Sequence, residues 1–343
     1  MSRVRIFDTK LRPVGEFTAT VNRGWALAGS ANVQGGTQTA FVIPDDVAAW
    51  DALQFGRVVL LEHEQLPAWA GVIDTPWTAT LPVSVTCYSA EYLLSLRSIE
   101  RQQTLTGSFE RVMSWMIAAC NELGDLGVRM GTMGTLPDGQ QQLTLQQRPI
   151  WEQLNGFGER EGVEFSFRPE INAGEPLVIY IDAGRNLGRD DGFLLKDGPG
   201  GNMKISGATV DGEIRNRMIG TGSQSTNDSL VMTQAYANAE SGAIYQVRNA
   251  IVQFQNLTLL SSIEAATQNA LSAAAWPMLR LDATLTDVGG TFAALRPGNW
   301  YNVHAANLYL PGGKRGWMGK MRIMAMAYDE RQNVVVSTLE AAL

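Results

Sequence analysis

Over most of the chain, apolar and polar residues alternate with a period of two, and that period predicts strands. VRIFD near the start, RVVLLEHE at 57–64, WAGVIDTPW at 69–77 and LPVSVTCYSA at 81–90 all read this way, with Val83, Val85 and Cys87 on one face. VEFSFRPE, PLVIYIDAG and MLRLDATLTD follow the same rule, and the tail after Leu295 reads as three strands whose last two form a hairpin through YDERQN. Helical spacing is confined to three segments, 108–123, 149–160 and 262–275. In the first, Ser108 is placed to cap and Phe109, Val112, Met113, Met116 and Ile117 recur on one face. Asp45 and Asp46 precede VAAWDAL and suggest an acidic cap on a turn or two of helix. Residues 185–204 and 221–242 read as exposed loop, being rich in Gly, Asp, Ser, Thr and Asn. The order helix, strand, helix, strand, strand over 105–184 is that of a small α+β unit. The fold class expected is mainly β, divided as 1–104, 105–184 and 185–343, with a loop and helix insertion in the last part.

Composition supports many short strands. Thirty-five of 343 residues are Gly, spread over many turns rather than gathered in one tract. Lys and Arg number 27 against 34 Asp and Glu, a net charge of −7. That balance argues against duplex nucleic acid as the main ligand, since phosphate contacts need clustered cations. No apolar stretch approaches the roughly 20 residues that span a bilayer, and the polar, alternating start is not that of a signal peptide.

Candidate chemistry is sparse. The two histidines, His63 and His304, have no recognisable catalytic partner; His63 reads as a surface strand residue and His304 as one near a strand end. Cys87 and Cys120 fall on apolar faces and read as small buried hydrophobes. No CxxC or HExxH is present, so neither a metal nor a cofactor is expected. The pairs Asp45–Asp46 and Asp190–Asp191 read as solvated turns rather than a glycosidase pair, and GRDDG lacks the ligand spacing of a calcium loop. GTMGTLPDG lacks the order of a phosphate cradle. GGKRGWMGK places Lys314, Arg315 and Lys320 around Trp317, a candidate turn for contact with an anionic partner surface.

In order along the chain, these segments resemble the hub proteins of phage tails and related contractile injection machines. At the N-terminal end the resemblance is carried by WAGVIDTPW after RVVLLEHE, then by Tyr92, Leu93, Leu94 and Arg97. At the other end it is carried by Leu295, Pro297, Gly298, Trp300 and Val303, then by Arg322 and Ile323. More narrowly, the chain resembles actinophage-type siphoviral tail proteins and the N-terminal hub portion of tail-associated lysins. The resemblance implies two tube-lining β-barrels, roughly 1–100 and 205–343, with the α+β unit inserted between them and residues 221–276 left unplaced. It also implies a homotrimeric ring in a virion tail tip or baseplate, where two barrels in each of three chains match a hexameric tail tube. Implied partners are tail tube and distal tail proteins, the tape measure protein and other baseplate proteins, with DNA passing through the lumen without specific binding. Because the final hairpin closes the sequence, a structural hub without a lytic domain is expected, not an enzyme. The alternative is a carbohydrate-binding or cell-wall-degrading tail protein. On the hub reading, the acidic balance suggests a lumen that repels DNA, with Glu62, Glu64 and Asp282 as examples of candidate lining residues.

Overall fold

The computed structural model describes residues 2–26, 38–43, 50–74, 83–172, 174–224, 230–254, 257 and 259–343. Asp45 and Asp46 lie outside the described residues; of the helical turn expected after them, the described part is a single 3-10 turn, Trp50–Ala52, with the Leu53 amide donating to the Trp50 carbonyl. Six strands open the chain: β1 (Ser2–Phe7), β2 (Pro13–Ala26), β3 (Gln38–Val42), β4 (Val58–Glu62), β5 (Trp69–Val72) and β6 (Ser84–Ser89). They pair antiparallel in the order β1-β4-β5-β6-β3-β2, and β2 returns to β1, so the six close into a barrel. Closure removes the free edges that six strands would otherwise expose. Val4, Ile6, Val21, Phe41, Val59, Leu61, Val85 and Cys87 fill the interior. β4 is buried on both faces, because Val58 and Leu60 point the other way into a second core. Its unbroken apolar run VVLL is the sequence mark of that double burial.

The second core lies under a mixed unit. It comprises α1 (Tyr92–Ser95), β7 (Gln103–Gly107), α2 (Phe109–Asn121), β8 (Val128–Met133), β9 (Gln141–Leu145), α3 (Ile150–Glu161), β10 (Glu164–Glu170) and β11 (Val178–Gly184). β11 pairs antiparallel with β10 and parallel with β8, while β7 and β9 form a separate ribbon. Ser108 caps α2 by accepting from the Arg111 amide at 3.2 Å. Phe109 stacks on Phe157 at 4.4 Å between ring centres, and both pack in the core that takes Val58, Leu60 and Val72 from the barrel.

β12 (Asp190–Lys196) and β13 (Met203–Asp211) follow. A lobe comes next: β14 (Arg217–Gln224), β15 (Leu230–Met232), β16 (Tyr236–Ala237), α4 (Ala239–Tyr245), β17 (Asn249–Gln253) and α5 (Leu260–Ala274). The chain then runs through β18 (Met278–Thr286), α6 (Thr291–Ala294), β19 (Trp300–Leu310), β20 (Lys314–Asp329) and β21 (Val334–Ala342). Outside the lobe these strands pair in the order β12-β19-β20-β21-β18-β13, and the two outer strands meet at one bridge, Asp197 to Met203. Leu195, Leu279, Leu281, Leu285, Tyr301, Val303, Ile323 and Leu339 fill the space they enclose.

Two expectations need correction. Residues 185–204 are not all loop, because β12 runs parallel to β19 within them. Its alternation is broken at Gly192, which sits at φ 70°, so the period of two fails in the sequence. Nor is 221–242 simply exposed coil: it carries the end of β14, then β15, β16 and the start of α4, with Asn238 capping α4 by accepting from the Ser241 amide.

Candidate assembly surfaces

A continuous seven-strand surface joins the barrel to the C-terminal strands. The strand order is β6-β3-β2-β20-β21-β18-β13, and register is kept across the seam, where Asn22, Gly24 and Ala26 of β2 oppose Asp329, Ala327 and Ala325 of β20. One row runs Thr86, Ala40, Asn22, Asp329, Val334, Thr286, and the next runs Gly24, Ala327, Val336, Thr284, Lys204. A third runs Ala26, Ala325, Thr338, Asp282, Gly207. The period of two explains the chemistry: most large apolar residues of these strands point into the two cores, leaving mainly small, hydroxylated and charged ones on the shared face, with Val334 and Val336 among them. Its charges number two positive, Lys204 and Arg280, against four negative, Asp211, Asp282, Asp329 and Glu340. Arg280 is bonded to Glu340 at 2.8 Å, and Asp282 accepts from the Thr338 hydroxyl at 3.0 Å. A concavity of about 620 Å³ sits on the seam, between Asn22–Trp25, Ala325–Asp329 and Val336–Thr338.

Below the seam lies a buried polar knot. Arg23, only 1% exposed, donates to the Ser2 hydroxyl at 2.7 Å and lies over the rings of Trp25 and Tyr328. Burial holds its guanidinium down, to about 10. Glu330 accepts from the Ser2 hydroxyl and the Val21 amide. His63 was expected as a surface strand residue. It instead follows the end of β4, half-buried, with its ring 5.3 Å from that of Tyr328. Burial, and then the Arg23 charge, lower its pKa. His304 sits mid-strand in β19, opposite Lys196 and Met318, rather than near a strand end. Burial pushes both thiols up, Cys120 to about 11. No group of three metal-ligating side chains gathers among the described residues.

Of the residues that carried the family resemblance, 75–77 lie outside the described residues, the strands before them belong to the barrel, and the rest gather at two structured joints. Leu93 and Leu94 are buried in α1, and the Tyr92 hydroxyl donates to Asp74 at 2.5 Å, which raises its pKa to about 12. The Arg97 carbonyl accepts from the Ile150 amide at the start of α3. At the other end, Gly298 at φ 87° turns the chain into β19, and its carbonyl accepts from Arg322 at 2.8 Å. Arg322 also grips both carboxylate oxygens of Glu164 at 2.5 and 2.6 Å, with Trp300 6.0 Å from its guanidinium. This buried fork ties the C-terminal strands to β10 of the mixed unit. Glu164 lies 158 residues away, and no spacing signal pointed to it.

Among the acidic examples, Glu62 lies on the far side of the barrel, paired with Arg5 at 3.1 Å, and Glu64 is exposed beyond the end of β4. Asp282 alone of the three is on the seven-strand face. Lys314 and Arg315 open β20 next to the turn at Pro311–Gly313, and Lys320 is bonded to Asp190. Asp191 accepts from Arg189 and Asn299. Trp317 packs against the C-terminal core.

No family model and no curated protein matches the chain. Solved structures do. The prophage tail protein gp18 from Listeria monocytogenes EGD-e superposes with a TM-score of 0.63 at 11% identity, covering 99% of this chain and 94% of that one. The 43 kDa tail protein of prophage MuSo2 from Shewanella oneidensis gives 0.56 at 13%, covering 99% and 98%. The E. coli c3393 protein, a type VI secretion component with similarity to the T4 tail proteins gp27 and gp5, gives 0.52 at 10%, covering 95% and 73%. The chain shares the fold of phage tail proteins. At these identities the likeness is one of fold, and function rests on the surfaces described above.

Proposed function

We propose that this chain is a structural hub subunit of a phage tail tip or baseplate, and that three copies close into a ring through which DNA passes. The observation that carries this reading is the seven-strand face, unbroken in register across the β2–β20 seam, on a fold shared end to end with tail proteins. On this reading the closed barrel is the first tube-lining barrel and the six C-terminal strands are the second. Two in each of three chains give six similar segments around a channel, which suits docking to a sixfold tube. The face lines the channel. Its small and hydroxylated side chains, with carboxylates outnumbering cations, give a passing polyanion no cationic trap. The acidic excess of the face, four carboxylates to two cations, is in keeping with the expectation of a lumen that repels DNA. The ring's neighbours are tail tube, distal tail, tape measure and other baseplate proteins, and the place is the virion. A structural role is the reading proposed, and it is supported by half-buried His63 facing an aromatic ring and by two buried thiols whose pKa burial raises.

Negative-stain imaging of the purified protein, alone and with tail-tube protein, tests this. Threefold rings with a central hole are the expected result. Monomers under both conditions, at tens of micromolar protein, would overturn it.

A further inference from the structure

The outer face of β12, β19 and β20, opposite their buried core, carries a cluster apart from the three rows of the seven-strand face. Phe193 and Leu195, Tyr301 and Val303, and Met321 and Ile323 point inward. Outward, in register across the three strands, stand Leu194, Asn302 and Lys320 in one row, and Lys196, His304 and Met318 in the next. The β19–β20 ribbon continues beyond β12. A bulge after Ala305 turns Leu308 and Leu310 onto the core and leaves Tyr309 outside, with the Arg315 guanidinium 5.8 Å from its ring. Lys314 stands at the corner of the hairpin. Met318 and Tyr309 are 76% and 77% exposed, and Leu194 50%. The chain has only five lysines, and Lys196, Lys314 and Lys320 are three of them. On a molecule of net charge −7 this is a concentration of cations, offset on the face by Asp190, which holds Lys320.

We infer that this face is a docking surface for a protein partner that presents acidic side chains around an apolar patch. Charge complementarity selects an acidic partner for Lys196, Lys314, Arg315 and Lys320. The apolar residues select protein over nucleic acid. Exposed Leu194, Met318 and Tyr309 among cations form the apolar centre and charged rim of a protein interface, whereas phosphates would leave Leu and Met unrewarded. Trp317 supports the face from beneath by packing on the core. The inference does not depend on ring formation and stands or falls separately from it.

The test immobilises the full chain and measures binding of three probes: a random glutamate–tyrosine copolymer, polyglutamate, and a random-sequence DNA duplex. Copolymer should bind more tightly than polyglutamate or DNA and weaken with salt. The charge variant K196Q/K314Q/R315Q/K320Q and the apolar variant L194S/Y309S/M318S should each lose about tenfold in affinity. The control K10Q/K204Q, which removes the other two lysines, should bind as the parent does. Circular dichroism of every variant should match the parent, since all the changed side chains are solvent-facing. Absence of copolymer binding, unchanged affinity in both face variants, an equal loss in the control, or tighter binding to DNA than to copolymer would each overturn the proposal.

Discussion

Arg322 and Glu164 form the costliest kind of pair to break. Their side chains are 7% and 11% exposed, so each charge depends on the other and on the surrounding carbonyls for compensation. Removing one partner leaves a buried charge, typically costing about 3–5 kcal/mol. E164Q should therefore lower the urea midpoint severely, and R322M in the same chain should restore part of the loss; equal damage in single and double variants would count against the pairing. His63 makes a pH prediction. Its folded pKa lies below the ordinary value near 6.5, so between those two values the unfolded chain binds more protons. Stability should consequently fall as pH drops through about 6.5 toward the folded pKa. H63Q should flatten that fall in urea titrations across this range, and an unchanged slope would assign it to other groups. The two joint residues were unequally visible beforehand. Pro297, Gly298 and Arg322 stood out in the sequence, but Glu164 sits in a strand like any other half-polar strand residue. Only the tertiary approach of β10 to β20 gives it a role.

At the scale of elements, the legible parts were those whose period matched one buried face. β18 alternates Leu279, Leu281, Ala283 and Leu285 inward, and α2 repeats its apolar residues at helical spacing with a serine cap. β12 was missed because Gly192 interrupts its period and its partner lies more than a hundred residues downstream. β13 and β14 are consecutive in the chain, yet they do not pair: β13 joins β18, and β14 is the centre of the lobe. The lobe depends on a close approach. A Cβ on Gly220 would stand 1.9 Å from the Thr267 hydroxyl, and one on Gly222 would stand 2.4 Å from Ile263 Cδ1 and from the Leu257 carbonyl. α5 can lie on β14 only because those two positions have no side chain. G222V should therefore speed amide exchange in 217–224 and 260–274 by more than tenfold, the signature of local opening, while β18 and β21 keep their protection. Uniform loss across the chain would mean that the lobe and the C-terminal strands unfold as one.

For the whole molecule, the decisive contact is β2 with β20. Fold class was readable from alternation, but this seam was not, since nothing local marks two strands three hundred residues apart as neighbours. It turns a closed barrel and a six-strand set into one sheet, and the channel-lining surface proposed here exists only once it forms. The ring experiment therefore probes a property of the joined molecule and not of either half. The seam also has a consequence for how the protein is made. Residues 22–26 leave the ribosome long before their partners at 325–329. At about 5–20 residues per second, that edge waits on the order of tens of seconds without a mate. During translation it is an open β-edge able to recruit a strand from another nascent chain. Neighbouring ribosomes on one message hold many such edges at once. Yield in a foreign host should then be governed by initiation rate and chaperone supply more than by the stability of the finished fold.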